Sequence, residues 1–466
     1  MSLTNILQFL PEVKAPGQKL GFKEKLKWTL IILVAFFLLS LIPLFGLGQN
    51  ALAQFDQLSI ILGAKFGSVL SLGIGPIVTA SIVLQLLVGS GLLKLDNTTK
   101  EGRTLFQGLQ KILAIFFIIF EGIIYVFLGG LAPAASLPPD QFFVMEIILV
   151  LQLIMGGILV LFMDEVISKY GFGSGVSLFI AAGVSEEIFI RAFSPLTSSG
   201  AIALGTGQPA IGAFLVFILS LTKGDPTGAF LAFSAIAATV IVFMLSVYAQ
   251  AMKVEIPLTF GRVRGYGMRW PLNFLYTSNI PVILVAALMA NVQLWARLLQ
   301  NWGFPILGKF AGANPQSGLV LWLQVPQLVR DLLTGAFTSF DIIHALVYTL
   351  FMIIGAVVFS VFWVQTSGQD AGSVSRQIMA SGLQIPGFRR DERILESILK
   401  RYINPLTVMG AVAIGILASS ADVMGALSRG TGILLAVMII YKLYEDISKH
   451  HMMDMYPGLR KMIAGE

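Results

Sequence analysis

Apolar runs about as long as a bilayer is thick recur along this chain, and they constrain its fold more than any other feature. A helix crosses the hydrocarbon of a membrane with about 20 predominantly apolar residues. Ten runs approach this length: Trp28–Leu47, Pro76–Leu93, Ile112–Gly130, Phe142–Met163, Gly175–Phe193, Ala229–Tyr248, Tyr276–Leu299, Ile342–Val364, Leu406–Met424 and Gly432–Tyr444. Two charges, Glu186 and Glu187, interrupt the fifth run, and the tenth is short. The runs predict an all-α membrane protein with ten transmembrane helices.

The composition supports lipid as the solvent of this chain. Of its 466 residues, 56% are hydrophobic and 12% are charged, against about 25% charged residues in an ordinary soluble domain. The chain contains no Cys and only three His, which excludes thiolate chemistry and makes a metal site unexpected. No phosphate-binding GxxxxGK[ST] loop is present. We therefore expect no cofactor and no enzymatic activity.

The distribution of Lys and Arg predicts the orientation of the spans. Residues 14–27 contain five of them, residues 94–111 four, residues 253–269 four and residues 376–401 six. On the opposite side of the predicted spans, residues 131–141 contain none and residues 418–431 contain one. Because basic loops are retained in the cytoplasm, both termini are expected to be cytoplasmic, in a protein of the cell (plasma) membrane.

Ten spans divide into two groups of five, and an odd number forces the two groups into opposite orientations. We therefore expect two pseudo-symmetric inverted halves, spans 1–5 in residues 22–193 and spans 6–10 in residues 228–449. The remaining segments are a cytoplasmic N-terminal segment, an external loop and a cytoplasmic tail, in residues 1–21, 194–227 and 450–466 respectively. In the second half, residues 252–274 predict an extended hairpin, and residues 367–402 predict a short helix, a turn and a basic helix from Asp391.

A shorter apolar segment, Asp56–Phe66, lies between the first two spans and precedes Gly75 and Pro76. It is too short to cross the membrane. Irregular backbone at membrane depth persists only where protein or water covers it. One interpretation is a half-inserted helix inside the bundle, hinged at Gly75 and Pro76. The alternative is a helix that lies on the membrane surface.

Several sequence blocks resemble one known family. They are Leu72–Gly91 (LGIGPIVTASIVLQLLVGSG), Asp164–Gly183 (DEVISKYGFGSGVSLFIAAG), Val254–Arg262 (VEIPLTFGR), Ser278–Leu284 (SNIPVIL) and Tyr402–Met409 (YINPLTVM). In this order, and with ten predicted spans, they resemble the SecY family, whose members are the main pore-forming subunit of the Sec translocon. The blocks are more similar to the archaeal and eukaryotic branch than to the bacterial one.

The resemblance implies a channel that translocates unfolded polypeptides and releases hydrophobic segments sideways into the bilayer. It also implies an hourglass pore between two five-helix halves, closed at its waist by a ring of apolar side chains. The ring maps onto Ile74, Val78, Val176, Ile180, Ile283 and Leu435. The first four form two pairs spaced by four residues, so each pair shares a helix face. The simpler alternative is that all six are ordinary packing or lipid-facing residues.

The resemblance also assigns roles to polar and flexible positions. Asp56, Ile60, Lys65 and Phe66 would belong to a plug helix that caps the ring from outside when the channel is idle, hinged at Gly75 and Pro76. Three polar residues, Thr79, Glu121 and Asn291, would form a hydrogen-bonded latch at a lateral gate. Intramembrane polar groups are often functional. The simpler alternative is that each of these three groups is satisfied within its own helix.

Two basic loops would hold a translating ribosome, through Arg262, Arg264, Arg389 and Arg390. Lys and Arg engage RNA phosphates in a salt-dependent way. Retention of basic loops in the cytoplasm would explain the charge alone, but not loops of this length. The other partners that the resemblance implies are small membrane subunits of the SecE/gamma and beta types, nascent polypeptides with signal sequences, the signal-recognition targeting machinery and membrane lipid.

Two other functional classes are compatible with a multispan chain. An inverted-repeat transporter would require charges and broken helices at the midplane, whereas most carboxylates here lie near span ends. An intramembrane hydrolase would have Ser174 and His344 as its only candidate dyad, with no acid beside either. Glycine-rich segments such as Gly171–Gly175 resemble dinucleotide loops only weakly, because no strand precedes them.

Overall fold

A computed structural model describes residues 11–18, 20–50, 64–89, 92–93, 100–127, 130–197, 202–203, 209–260, 267–277, 280–301, 304–311, 314–380, 383–384 and 391–455. Within these residues the chain is predominantly helical, as the apolar runs predict. The helices are α1 (Phe22–Ser40), α2 (Gly75–Gly89), α3 (Lys100–Phe127), α4 (Pro139–Tyr170), α5 (Gly175–Phe193), α6 (Ala213–Lys223), α7 (Pro226–Ala251), α8 (Ile280–Asn301), α9 (Leu319–Trp322), α10 (Leu328–Thr334), α11 (Ser339–Thr366), α12 (Ala371–Ala380), α13 (Glu392–Val423) and α14 (Gly430–Met455).

Each of the ten apolar runs overlaps one of these helices. By length and composition, five helices in the described part of the chain could cross a membrane, namely α3, α4, α7, α11 and α13. In α1, α5 and α14, three or more charged side chains fall in every window of 18 residues. Helix α2 has 15 residues, which corresponds to about 22 Å at 1.5 Å per residue.

Two helices extend well beyond their apolar runs. Helix α3 starts at Lys100, before the run that starts at Ile112. Helix α13 joins the predicted basic helix to the ninth run without a break and contains Pro405 in its interior. The first run ends differently from the prediction, because α1 stops at Ser40 and the chain then continues to a short strand, β1 (Leu47–Asn50). This strand pairs antiparallel with β2 (Leu131–Pro133).

The chain forms two compact units, one of residues 1–185 and 439–466 and the other of residues 186–438. In the first unit, a buried cluster joins α3 and α4 to the turn before α2, and it includes Leu72, Ile118, Leu149 and Leu153. The α1 helix packs on α5 through Phe36 and Phe179, whose rings stack with centroids 4.4 Å apart. Aromatic and aliphatic packing therefore holds this unit together.

Residues 11–14, which we term the strap, lie against the interior of α3, at Lys111, and the end of α4, at Glu165 and Lys169. Lys111 contacts the carbonyl oxygen of Pro11 and the carboxylate of Glu165, and the Val13 amide donates to the same carboxylate over 3.0 Å. Lys169 donates to the Glu12 carboxylate and to the Val13 carbonyl. This Lys169 hydrogen bond holds the pKa of Glu12 below its usual value of 4.5.

In the second unit, a buried cluster joins α8, α11, α13 and α14, and it includes Val285, Tyr348, Met352, Ile414 and Leu434. The prediction of an extended hairpin at residues 252–274 is confirmed. Strands β3 (Lys253–Phe260) and β4 (Gly267–Asn273) pair antiparallel, from Lys253 opposite Asn273 to Thr259 opposite Gly267. A third strand, β7 (Leu383–Gln384), pairs with the end of β3.

The predicted short helix and basic helix also correspond to observed elements, whereas most of the predicted turn lies outside the described residues. Helix α12 precedes β7, and Asp391 caps α13 by accepting from the Arg393 amide over 2.9 Å. Three short helices lie between longer ones along the chain: α6 precedes α7, and α9 and α10 precede α11. Strands β5 (Gly308–Ala311) and β6 (Asn314–Gly318) form a second hairpin between α8 and α9.

Candidate functional site

A compact turn leads into α2, the first helix that carries predicted ring residues. Ser71 occupies its centre: its hydroxyl accepts from the Gly67 amide over 2.9 Å and donates to the Ser68 carbonyl over 2.5 Å. The Ser68 hydroxyl donates to the carbonyl of Lys65 over 2.7 Å. Helix α4 contacts this turn so closely that Gly156 has no room for a side chain. A Cβ at this position would overlap the carbonyl oxygen of Val69. The turn is thus fixed both internally and against α4.

The predicted hinge, Gly75 and Pro76, forms the first two residues of α2, where the fixed φ of proline suits a helix start. Two glycines of the preceding turn have an unusual backbone, Gly67 at φ +95° and Gly73 at φ +53°. A left-handed φ of this kind favours glycine. Of the predicted plug residues, Lys65 is exposed, Phe66 is half-buried and packs edge-on against Tyr125, and Asp56 and Ile60 lie outside the described residues.

The start of α5 is held by a carboxylate from the preceding helix. Asp164, near the end of α4, accepts a hydrogen bond from the amide of Val176 over 2.9 Å. A Cβ on Gly175 would lie 2.6 Å from the Cα of Asp164. The turn between the two helices is also tied to α1, because the Phe172 amide donates to the Thr29 hydroxyl over 3.1 Å. These contacts fix where the helix with Val176 and Ile180 begins.

The start of α14 has a similar arrangement. Asp422, near the end of α13, accepts from the amide of Gly430 over 2.7 Å through one oxygen. Its other oxygen accepts from the Tyr348 hydroxyl over 2.6 Å. A Cβ at Gly430 would overlap the carbonyl oxygen of Ala418. The helix with Leu435 therefore also begins in close contact with the helix before it.

None of the six predicted ring residues is exposed on the surface of the chain. Ile74, Ile180 and Leu435 are buried, with 0%, 3% and 0% of their surface exposed. Val78, Val176 and Ile283 are half-buried. Large apolar side chains elsewhere on the spanning helices, such as Phe243 and Leu346, are broadly exposed. The alternative that the ring residues face lipid is therefore not supported, whereas ordinary packing remains compatible with their burial.

The three predicted latch residues lie on three helices, α2, α3 and α8. The Thr79 hydroxyl donates to the Gly75 carbonyl over 2.9 Å, which is a bond within its own helix. Glu121 is half-buried on α3. Asn291 lies on α8, and its side chain is outside the described part of the structure. For Thr79, the observed bond is the one that the simpler alternative predicts.

The four predicted docking residues lie outside the described residues, but their flanking elements are described. Arg262 and Arg264 fall between β3 and β4, and Arg389 and Arg390 fall between β7 and the Asp391 cap of α13. Because β3 pairs with both β4 and β7, the two loops arise from one small sheet. Arg269 on β4 forms an ion pair with Glu255 on β3, at 2.8 Å.

Asp164 and Asp422 are the residues whose roles the sequence patterns did not indicate. The only available signal was a carboxylate near the end of one apolar run, followed by glycines and then by the next run. Spacing alone does not reveal the cap, because the aspartate precedes its partner by 12 residues in one case and by 8 in the other. Close approach of two helices brings these groups together.

Comparisons with known proteins give a consistent result. The SecY family model matches residues 68–444. A protein translocase subunit SecY of Methanothermobacter thermautotrophicus is 46% identical over 463 residues, covering 98% of each chain. One from Pyrococcus furiosus is 42% identical over 466 residues, covering 98% of this chain and 97% of the relative.

Three solved structures show the same fold over 99% of this chain and 100% of their own. "The structure of a protein conducting channel" is 40% identical, with a TM-score of 0.80. A structure on how the plug domain of the SecY protein stabilises the closed state of the translocation channel is 40% identical, at 0.78. The third, Sec61 in the canine ribosome-channel complex from the endoplasmic reticulum, is 39% identical, at 0.77. With its family model, its full-length relatives and its fold in agreement, this chain belongs to the SecY family.

Proposed function

We propose that this chain is the pore-forming subunit of a protein-conducting channel, which translocates unfolded polypeptides across a membrane and releases hydrophobic segments into the bilayer. One observation carries this proposal: the chain matches a solved protein-conducting channel over 99% of its length, with 40% identity and a TM-score of 0.80. The match extends along nearly the whole of this chain and covers 100% of the solved chain.

Ten spans with both termini in the cytoplasm of the cell account best for the helices. Five helices could cross a membrane on length and composition, and α1, α2, α5, α8 and α14 overlap the other apolar runs. The charges in α1 and α14 lie toward one helix end, where long basic side chains reach water. In this topology the halves are residues 22–193 and 228–449, with residues 194–227 external and residues 1–21 and 450–466 cytoplasmic.

An apolar ring suits a pore that must pass every kind of side chain. Ile74, Val78, Val176, Ile180, Ile283 and Leu435 offer a moving peptide no hydrogen bond or charge partner, so no segment is held tightly. Ions lose their hydration at such a constriction without compensation, so the idle ring resists conduction. The absence of these six side chains from the exposed apolar surface supports this role.

A plug formed by residues 56–66 would close the idle channel from the external side. Exposure of Lys65 supports contact with water there, because a charge buried in hydrocarbon would be costly. Gly75 and Pro76 would be the hinge. The related structure in which a plug domain stabilises the closed state has the same fold over nearly the whole chain.

Thr79, Glu121 and Asn291 would form the latch of a lateral gate. Replacing all three with Leu removes any hydrogen bond that links the gate helices, so the hydrophobicity required for membrane insertion of a segment should change. Insertion of a graded series of Leu/Ala segments measures this threshold. Ser234→Leu is the control, because Ser234 donates only to Leu231 on its own helix. An unchanged threshold in the triple variant contradicts the latch.

Partners follow from the same proposal. A related structure is Sec61 in a ribosome-channel complex, and we propose a translating ribosome as the partner of the loops with Arg262, Arg264, Arg389 and Arg390. Small SecE/gamma-type and beta-type subunits, the signal-recognition targeting machinery and nascent chains with signal sequences complete the proposed assembly. The chain contains no nucleotide-binding loop, so the energy for movement comes from a partner.

Photo-crosslinking from the ring tests the function directly. A photoreactive amino acid at Ile180 or Ile283 should crosslink to a stalled, ribosome-attached nascent chain in reconstituted membranes, because both side chains would line the pore. The control position is Phe243 on α7, a 48% exposed side chain that should contact lipid instead. Crosslinks of equal yield from all three positions, or none from the ring, would overturn the proposal.

A further inference from the structure

Two of the helices with proposed ring residues, α5 and α14, begin with the same type of cap. Asp164 near the end of α4 accepts from the Val176 amide in the first turn of α5. Asp422 near the end of α13 accepts from the Gly430 amide in the first turn of α14. In both cases the acceptor belongs to the preceding helix and the donor belongs to the helix with the ring residues. The two instances lie in different compact units, so neither depends on the other.

Close backbone packing makes both arrangements sensitive to displacement. A Cβ added to Gly175 would lie only 2.6 Å from the Cα of Asp164. Gly430 leaves no room for a Cβ beside the Ala418 carbonyl. A helix that slides or rotates at either start must separate the carboxylate from its amide. Unpaired backbone amides are costly away from water.

We propose that Asp164 and Asp422 are positioning residues that set the height and rotation of α5 and α14, and thereby aim Val176, Ile180 and Leu435 into the ring. A carboxylate at a helix start satisfies an otherwise unpaired amide and complements the positive end of the helix dipole. This inference rests on the function proposed above. It adds to that function two residues that hold the seal without lining the pore.

The ring residues are close enough to the caps to follow any movement of the helix start. Val176 is itself the donor to Asp164, Ile180 follows one turn later, and Leu435 lies five residues after Gly430. A slip of one residue along an α-helix moves each side chain by about 1.5 Å and rotates it by about 100°. Such a rotation would take the side chain off the ring and leave a gap.

In the proposed topology, the two aspartate caps occupy corresponding positions in the two halves. In that topology α5 begins on the cytoplasmic side and α14 begins on the external side, as corresponding helices of inverted repeats do. The same type of cap then serves the last helix of each half. Asp422 makes one further contact, because its second oxygen accepts from the hydroxyl of Tyr348 on α11. Replacing Asp422 should therefore displace the helix start more than replacing Asp164.

Ion conductance of the idle, reconstituted channel complex in planar bilayers tests the positioning role. We expect Asp164→Ala to raise the leak about fivefold, the change in an equilibrium constant that one lost N-cap typically produces. Asp422→Ala should raise it further, because it also removes the acceptor of the Tyr348 hydroxyl. Asp164→Asn and Asp422→Asn keep an acceptor oxygen and should leak nearly as little as wild type. The matched control is Asp225→Ala, because Asp225 caps α7 by accepting from Gly228 and α7 carries no ring residue.

A second readout follows the ring residue itself. The chain has no Cys, so Leu435→Cys introduces a single thiol at a side chain with no exposed surface. Combined with Asp422→Ala, this thiol should react faster with a water-soluble maleimide than it does in the Leu435→Cys channel alone. An unchanged rate would show that the cap does not position Leu435.

The outcomes separate this inference from the proposed function. A wild-type complex that fails to translocate a signal-bearing precursor contradicts the function. A wild-type complex that translocates, together with folded Ala variants that leak no more than wild type, overturns the inference alone. Equal leak from Asp225→Ala also overturns it. If the Ala variants do not assemble, the leak of Asp164→Glu and Asp422→Glu tests the inference instead. The longer side chain shifts the start of the helix, so both Glu variants must leak more than wild type.

Discussion

Single residues matter most where backbones touch. Gly156 on α4 lies against the turn before α2, and a Cβ there would overlap the carbonyl oxygen of Val69. Gly122 on α3 belongs to the same compact unit, but its would-be Cβ has no neighbour nearer than 3.7 Å. These two helical glycines therefore differ in their surroundings and not in their helix propensity, which makes them a matched pair.

We expect Gly156→Ala to lower the free energy of unfolding by about 1–3 kcal/mol, the usual cost of overpacking a filled interior. Gly122→Ala should change it by less than about 1 kcal/mol, since the new methyl group makes ordinary contacts and alanine favours a helix. Thermal unfolding of the purified complexes in one detergent measures both. Equal melting temperatures for the two variants would show that the turn before α2 can shift away from α4 without loss of stability.

At the scale of elements, the strap is attached to α3 and α4 mainly by charged contacts. Lys169 holds the pKa of Glu12 below its usual 4.5, so the folded state favours ionised Glu12. The resulting stabilisation is complete above about pH 4.5 and is lost as the pH falls through the lower folded-state pKa. Because the Glu12 side chain is 70% exposed, the contribution is only a fraction of 1 kcal/mol.

Hydrogen exchange of the Val13 amide, which donates to Glu165, measures attachment of the strap. After correction for intrinsic rates, its protection should fall as the pH drops below 4.5. Glu12→Gln should already show lower protection at neutral pH, with a smaller fall on acidification. Glu165→Gln is the control for the other carboxylate. If Glu12→Gln keeps the wild-type pH profile, Glu12 does not control the strap.

The apolar runs located the spanning helices well but missed the ends of several of them. The fifth run coincides with α5, Gly175–Phe193, despite its two internal glutamates. By contrast, α3 begins at Lys100, because hydropathy detects the part of a helix in hydrocarbon and not its polar extension into water. Pro405 lies inside a continuous helix in α13. Neighbouring helices can compensate for the hydrogen bond that a proline cannot make in a spanning helix.

At the scale of the whole molecule, the candidate site was predictable only in part. The ring, plug and gate residues came from resemblance, because an apolar residue in an apolar helix has no distinguishing pattern of its own. The two aspartate caps depend on contacts between consecutive helices, which the spacing did not specify. The proposed docking loops were visible as basic segments too long to be simple connections, and two of their flanking strands belong to one three-stranded sheet with β3.

The docking loops lead to a prediction about the assembled channel. Arg262→Glu combined with Arg389→Glu should weaken ribosome binding, because two attractive interactions with RNA phosphates become repulsive. The dependence of log affinity on log salt concentration should also become less steep by about 1 to 2 units, roughly 0.7–0.9 for each phosphate that the loops no longer neutralise. Co-sedimentation of the purified complex with ribosomes at increasing KCl concentration measures both quantities.

Arg269→Glu is the matched control for this charge reversal. Arg269 lies on β4 of the same sheet, is well exposed and pairs with Glu255, so its reversal changes the net charge of the sheet without altering either loop tip. We expect it to retain most of the affinity and the full salt dependence. If this one reversal lowers log affinity by half as much as the two tip reversals together, the ribosome responds to net charge alone. If the double variant binds like wild type, the two arginines do not contact the ribosome.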